Sequence, residues 1–425
     1  MTTTINNEHK KLNVPNKREQ NQTCLDSAER EGLRPKGNVP NLRFPEFQGE
    51  WEKKRLEECV EFLDGLRKPI KSEDRKSEQG LYPYYGASGI IDYIDGYIFD
   101  GEYILLSEDG ANIIDRNYRV AFIAKGKIWV NNHAHVLQPY DGFDINFLSE
   151  TLERLNYAVY NTGTTMPKLN QEVCRNINLK IPTTKEQNKI GNLLSLLNER
   201  ISTQNKIIDK LQSLIKGIAD NILDNPLWKK TYLRSFMQFF STNSLSWEQL
   251  SYEEGEIRNL HYGLIHGFFT SGIKSYSLPM VKYGEMPKQY TLCQVGDVAF
   301  ADASEDTDEI GKSVEFVDSI KGDTICGLHT IHGRDIKNRT VVGFKGFAFN
   351  SRYFHNQIKR LAQGTKIFSI TANNLSSCYV YLPDFDTQKA IVKLLKAYEE
   401  KLLVSKRLLE QYEKQKQYLV RQMFI

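Results

Sequence analysis

Heptad spacing dominates two stretches of the chain. Between 184 and 223, steps of four and three join Ile190, Leu194, Leu197, Ile201, Gln204, Ile208, Leu211, Ile215, Ile218 and Ile222. From 385 onward the same steps join Ile391, Leu395, Tyr398, Leu402, Ser405, Leu409, Tyr412, Lys416, Leu419 and Met423. Such spacing predicts helices with an apolar seam. Neither stretch contains proline, and each would run roughly 60 Å at ~1.5 Å per residue. The seams correspond position by position, and a polar residue, Gln204 or Ser405, interrupts both at the same place. A polar residue in a seam sets register and orientation at some cost in stability. Matched length and matched interruption predict that the two helices pair, in antiparallel fashion.

Ahead of each helix the pattern changes to short alternating runs. GYIFDGEYILLSEDG (96–110) and VAFIAKGKIWVNNHAHVLQP (120–139) read as strands broken by Gly and Asp turns, and FLSETLERLNYAVYN (147–161) has helical spacing. A second block matches in outline. QVGDVAFADASED (294–306) answers the first strand, DTICGLHTIHG (323–333) the second, and GFAFNSRYFHNQIKRLAQG (346–364) the helix. The segment LRKPIKSEDRKSEQGLYPYYGASGIIDY has no counterpart.

Residues 161–223 and 362–424 align without a gap at an offset of 201. Gly163-Thr164 matches Gly364-Thr365, Pro182 matches Pro383, and Gln187 matches Gln388. That period is too long for a solenoid. It predicts an α+β chain with pseudo-twofold internal symmetry: two mixed, strand-rich domains separated by two long antiparallel coiled-coil helices. The expected segments are a polar tail (1–37), a first variable domain (38–183) and a first helix (184–223). A linker (224–246), a second variable domain (247–384) and a second helix (385–425) follow.

Composition narrows the class. No apolar run is long enough to span a bilayer, and the polar N-terminus lacks the apolar stretch of a signal peptide, so a cytoplasmic protein is expected. Six cysteines without a C-x-x-C pair read as reduced thiols. The net charge of +3 is unevenly spread: −4 over 51–183 and −2 over 245–384, against +2 and +4 over the helical stretches. A polyanion would have to bind the variable blocks through local patches.

Catalytic motifs are missing. Gly311-Lys312-Ser313 imitates the end of a P-loop, but Asp306 stands where its earlier glycine belongs. There is no Gly-rich dinucleotide fingerprint, Asn-Pro-Pro-aromatic motif or G-x-S-x-G elbow. His133-x-His135 and His329-x-x-His332 lack an evident ligand set, so no metal site is expected. Of these histidines, His135 and His329 are expected to correspond between the repeats. Ser107-Glu108-Asp109 and Ser304-Glu305-Asp306 look like a repeated polar trio, with turn or cap chemistry after a strand.

Recognition chemistry remains. In the first block the candidates are Lys68, Lys71, Tyr82, Tyr84, Tyr85, Asn131, Asn132, His133, Thr164, Thr165 and Lys168. In the second they are Tyr262, His266, Lys274, Lys282, Tyr283, His329, Arg334, Thr365 and Lys366. Amides and Arg can read base edges, while Lys and hydroxyls hold the phosphate backbone. Taken singly, each of them is more often an ordinary surface or half-buried side chain, since tyrosines are common in strands.

The motifs NVPNLRFPEFQGEW (38–51), YPYYGASGIIDYIDGYIFDGEYILLSEDGA (82–111), NTGTTMPKLN (161–170) and IPTTKEQNKIGNLLSLLNERI (181–201) resemble the specificity subunit of type I restriction-modification systems. GTKIFSI (364–370) and YLPDFDTQKAIVKLLKAYEEKL (381–402) extend the resemblance over residues 38–425. It implies two target recognition domains, each reading half of a split site in double-stranded DNA, held apart by the helices as a ruler. It also implies two modification subunits carrying S-adenosylmethionine, and restriction subunits using ATP and magnesium, with no cofactor and no catalysis in this chain. The tail 1–37 falls outside the family pattern. Thr387 in place of Glu186 implies an altered subunit contact in the second copy. Two other readings stay open: a coiled-coil scaffold with two protein-binding domains, and a stand-alone enzyme.

Overall fold

The computed structural model describes residues 37–71, 73, 75, 80–267, 271–274, 277–318 and 324–425. All of the expected tail except Gly37 lies outside them. The chain is α+β and divides into two compact units. One holds the described residues up to Thr203 together with Glu410–Ile425; the other holds Gln204–Leu409.

In the first unit β1 (Glu52–Arg55) pairs with β8 (Asn178–Ile181). Between them lie β2 (Val60–Phe62), β3 (Tyr82–Gly86), β4 (Gly89–Ile94), β5 (Phe99–Ser107), β6 (Ala121–Val130) and β7 (Ala134–Pro139). These form one sheet in the order β2-β7-β5-β6-β3-β4, with only β3 and β6 parallel. Strand β5 is apolar on both faces. Ile104 and Leu106 join the core of Trp51, Phe147 and Leu148, while Tyr103 and Leu105 pack with Ile128 and Val136 on the other side. That two-sided burial is why its sequence runs Tyr-Ile-Leu-Leu instead of alternating.

Three short helices follow the same unit: α1 (Asn112–Asp115), α2 (Ile145–Glu153) and α3 (Gln171–Arg175). The helix expected over 147–161 is shorter. It stops at Glu153, and Asn156 caps a separate turn, Tyr157–Tyr160, whose Tyr157 hydroxyl donates to the Leu152 carbonyl at 2.9 Å. The long helix α4 (Thr184–Leu223) starts here.

The second unit contains β9 (Lys229–Tyr232), β10 (Met237–Phe240), β11 (Leu250–Ser251), β12 (Arg258–Leu260), β13 (Gly272–Ile273), β14 (Met280–Val281) and β15 (Val298–Ala301). Then come β16 (Ala303–Ser304), β17 (Ser313–Phe316), β18 (Thr324–Cys326), β19 (Thr330–Asp335), β20 (Phe368–Ser369) and β21 (Tyr379–Leu382). Its helices are α5 (Tyr262–Gly267), α6 (Phe344–Ala348), α7 (Arg352–Leu361), α8 (Ala372–Ser377) and the long α9 (Phe385–Met423). A five-stranded sheet runs β10-β19-β15-β17-β13 and a four-stranded one β11-β14-β12-β18. Strands β9 and β10 lie inside the stretch that reads in sequence as a linker, and the helix expected over 346–364 is interrupted between α6 and α7.

Register exposes the duplication. Ser107 faces Ala134 across β5 and β7, and Ala301 faces Thr330 across β15 and β19. Tyr85 faces Val130 in the parallel pair β3–β6, as Leu260 faces Cys326 in β12–β18. The strand corresponding to β6 is split in two, as β17 and β18.

Each long helix is locked at its start by the repeated glutamine. Gln187 Nε2 donates to the Pro182 carbonyl (2.9 Å) while its Oε1 accepts from Asp144 N–H (3.1 Å). Gln388 repeats this with Pro383 (3.0 Å) and Val341 (2.9 Å). Both glutamines are buried, so the side chain stitches strand exit, helix start and the preceding layer together. Glu186 is also fully buried, paired with Arg43 inside this chain, so its change to Thr387 is accounted for locally: Thr387 caps against Asp384. The seams are the shielded faces of both helices. Within the second unit Ile208, Leu211 and Leu402 cluster, and Gln204 Nε2 donates to the Ser405 carbonyl at 3.2 Å. Within the first, Ile190, Leu194 and Leu197 share a core with Met423 and Phe424. No described helix is long and apolar enough to cross a membrane.

Candidate nucleic-acid interface

In the first unit the end of β5 organises a polar platform. Glu108 N–H donates to the His133 carbonyl (2.9 Å), Leu169 N–H to the Glu108 carbonyl (2.7 Å) and Gly110 N–H to the Pro167 carbonyl (3.0 Å). The loop 161–168 is thereby laced to the strand end, with Asp109 bridging Lys168. That loop needs its glycine: a Cβ on Gly163 would stand 1.8 Å from the Met166 carbonyl oxygen. Thr164, Thr165 and Lys168 are exposed on it, and Asn132 and His133 are exposed beside it. His133 Nδ1 lies 2.9 Å from both Asp109 carboxylate oxygens, and Lys168 Nζ 3.4 Å from Glu108.

Beneath sits a set of charges. Arg67 donates to Glu108 and to the Ala134 carbonyl, both at 2.7 Å. Buried His135 places Nδ1 2.6 Å from Asp64 Oδ2 and Nε2 2.8 Å from the Leu169 carbonyl. Burial opposes a charge on His135, but Asp64 and Cys174 hold its pKa up to about 10. Burial raises Asp64, but the hydrogen bond and charge of His135, the Val136 N–H and the charge of Arg67 together outweigh it and hold the carboxyl below its ordinary value.

Lys68 and Lys71 are exposed on the segment after β2, where Trp129 Nε1 donates to the Lys68 carbonyl (2.6 Å). Tyr82 and Tyr85 are half-buried. Two candidates belong to the interior instead. Tyr84 is 1% exposed, with its hydroxyl 3.0 Å from the Ile70 N–H, and Asn131 is buried with Oδ1 accepting from His133 N–H. Neither side chain is presented to a ligand.

The second unit builds the same platform with different side chains. Asp302 N–H donates to the His329 carbonyl (3.1 Å), Ile370 N–H to the Asp302 carbonyl (3.0 Å), and β16 pairs with β20. His329 Nδ1 lies 3.1 Å from Asp302 Oδ1. The partner of His329 in the repeat is therefore His133, not His135, and Glu108 corresponds to Asp302. The trio Ser304-Glu305-Asp306 comes after that point and is no counterpart of Ser107-Glu108-Asp109. Thr365 and Lys366 are exposed on the equivalent loop, whose Gly364 has φ +131° and leaves a Cβ only 1.9 Å from the Ile367 carbonyl oxygen.

An aromatic run adjoins it. Trp247 and His261 centroids are 4.5 Å apart, His261 and Tyr262 4.7 Å, and Tyr262 meets His329 edge-on at 5.3 Å. Burial, then the neighbouring His329, drive His261 down to about 4, so the ring is neutral at physiological pH. His266 and Lys312 both contact Glu309 at 3.0 Å, and chiefly through the His266 hydrogen bond Glu309 falls to about 2. Lys274 and Tyr283 are exposed, and Lys282 donates to the Glu248 carbonyl. Arg334 is committed elsewhere, gripping Asp297 with two hydrogen bonds (2.9 and 2.7 Å). Sequence reading missed Asp64, Arg67, Asp297 and Asp302, because their roles come from strand register and no local spacing marks them; it marked Asp109 only as turn or cap chemistry.

A family model described as the type I restriction modification DNA specificity domain matches residues 48–213 and 327–414. A type I restriction enzyme specificity subunit (MjaVIII) of Methanocaldococcus jannaschii is 24% identical over 404 residues, covering 88% of this chain and 91% of the relative. A putative type I restriction enzyme specificity subunit of Haemophilus influenzae is 36% identical over 148 residues, covering 35% of this chain and 37% of the relative's own length. The crystal structure of the type I restriction-modification S subunit from M. genitalium shares the fold, with a TM-score of 0.60 and 15% identity over 91% of this chain and 99% of that one. With more than half of its length matched by that model, the chain belongs to the family of type I restriction-modification DNA specificity subunits.

Proposed function

We propose that this chain is the address-reading subunit of a type I restriction-modification complex, with each variable region reading one half of a bipartite DNA site. The observation that carries the reading is the platform built twice by the same backbone bonds and dressed with different side chains: Asn132, His133, Thr164, Thr165 and Lys168 in one unit, Tyr262, His266, His329, Thr365 and Lys366 in the other. A constant frame with variable polar surfaces is what two half-site readers require. Lys and Thr on the glycine loops suit phosphate contact, while amide, imidazole and aromatic groups suit base edges and faces.

In this proposal α4 and α9 form an antiparallel coiled-coil spacer that sets the gap between half-sites and docks two modification subunits. Those subunits would bring S-adenosylmethionine, and restriction subunits would bring ATP and magnesium. The chain itself would supply sequence recognition without catalysis, in the cytoplasm. The repeated glutamine lock and the matched seams support a constant helical frame.

A band-shift titration of the chain with its modification subunit tests the reading. One duplex sequence should be retained at moderate salt over scrambled competitors. Equal, salt-sensitive binding of every duplex would overturn it, because phosphate contacts alone behave that way. The negative net charge of both variable blocks favours a second reading, a scaffold with two protein-binding domains; binding to no duplex would be its signature.

A further inference from the structure

We propose that the second unit holds a site for one divalent, thiophilic cation of the zinc class, with Cys293, Cys326 and His332 as its ligands. The two sulfurs and one ring nitrogen of His332 lie within 4.8 Å of one another. The Sγ atoms are 3.5 Å apart. A disulfide would need about 2.05 Å. Two thiolates on one tetrahedral zinc, each at ~2.3 Å, sit about 3.8 Å apart, so the pair is spaced for a shared ion. Two thiols and an imidazole are the donor set that selects such a cation over magnesium or calcium.

The surroundings complete the chemistry. Asp297 Oδ2 lies 2.7 Å from His332 Nε2. A carboxylate on one ring nitrogen orients the imidazole and leaves the other, here Nδ1, for a metal. Arg334 grips the same carboxylate, so its negative charge is balanced without the ion. Two thiolates and a dication are likewise neutral together, which is the condition for burying all of them. Cys293, Cys326, His332 and Asp297 are all buried.

The shared fold does not demand these residues. Val130 occupies the position of Cys326 in the first unit, and Val136 that of His332; both are fully buried. An apolar filling satisfies that frame, so the polar set is an addition of the second unit. It joins the β12–β18 sheet, through Cys326, to the β15–β19 sheet, through His332. Cys293 is tied in by its N–H donating to the Thr324 carbonyl (2.8 Å). A bound ion would staple the two sheets together. Binding displaces two thiol protons, so affinity rises with pH.

The experiment uses the full chain, reduced and stripped with a chelator, then given zinc or cobalt alone. One zinc per chain should remain after dialysis, and cobalt should give a thiolate charge-transfer band with the intense visible bands of tetrahedral coordination. Alkylation followed by peptide mapping should show Cys293 and Cys326 protected by zinc and reactive after chelation, with Cys59 and Cys378 indifferent to the metal. This readout needs no variant. Cys293→Ser and Cys326→Ser should each abolish the charge-transfer pattern of a two-thiolate site, and Asp297→Asn should weaken zinc binding by about 10–100-fold. Zinc that does not stay bound, a cobalt spectrum without thiolate character, or alkylation of the two cysteines that ignores zinc would each overturn the proposal.

Discussion

Arg43 grips Glu186 with two parallel hydrogen bonds, Nε to Oε1 and Nη2 to Oε2, both 2.7 Å long. Glu186 is wholly buried in the first turn of α4, and Arg43 is 13% exposed. The pair fastens the proline-rich lead-in to the long helix, and Leu42 N–H adds a bond to the Gln422 carbonyl near the end of α9. Arg43→Ala would leave a carboxylate buried without its partner, which costs about 3–5 kcal/mol. Urea unfolding should show that loss, and the double variant Arg43→Met/Glu186→Met should recover most of it. Equal stability of Arg43→Ala and the parent would refute the buried-pair assignment.

The two glycine loops make a second case. Alanine at Gly163 or Gly364 would push a Cβ into a backbone carbonyl at 1.8 or 1.9 Å, and at Gly364 it would also have to hold φ at +131°. Backbone strain of this kind costs about 1–3 kcal/mol per site. Because Thr164, Thr165, Thr365 and Lys366 ride on these loops, DNA affinity of the assembled complex should fall along with thermal stability. Loss of affinity at one half-site only, seen by footprinting each single variant, is the expected pattern.

The parts legible in the sequence are those that repeat or keep a period. Heptads marked α4 and α9, and the Pro–Gln pairs marked their starts, because one buried side chain must make the same two bonds in both copies. Strands β5 and β6 were visible as apolar runs. What was hidden depends on pairing between distant residues. Tyr84 looks like a surface aromatic until β3 is laid parallel to β6, and Arg334 looks like a free cation until β19 brings it to Asp297. The match of His133 to His329 follows from register, which sets Ala134 and Thr330 at equivalent places beside β5 and β15. Strands β9 and β10 escaped notice because each has only four residues, too few for a period to show.

The buried pair of His135 and Asp64 should make stability depend on pH. His135 titrates at about 10 when folded, above the ordinary histidine value, despite burial, because Asp64 and Cys174 favour its charge. A raised folded value means the contribution is complete below the unfolded pKa, about 6.5, and is lost as pH rises toward about 10. Asp64, lowered in the fold, adds stability above its own unfolded value that disappears in acid. Unfolding free energy measured in urea should therefore decline from neutral to alkaline pH. Asp64→Asn should be less stable at neutral pH and should lose most of that alkaline decline. A parent protein with a flat profile across the window would contradict the charged pair.

The spacer reading makes the sharpest functional prediction. Removing residues 205–211 and 406–412 takes one heptad from each helix, so each seam keeps its phase while each helix loses roughly 10 Å at ~1.5 Å per residue. At ~3.4 Å per base pair, the preferred gap between half-sites should shrink by about three pairs. Selection from a duplex library with randomised gap lengths, using the assembled methyltransferase, reads this directly. The Gln204–Ser405 contact bears on how the deletion is judged, since 205–211 begins beside Gln204 and 406–412 beside Ser405. Both contact residues survive, and the interrupted position of each seam is retained. Intact binding at the original gap would show that the helices do not set the spacing, whereas loss of all binding with a folded protein would place the failure in subunit docking.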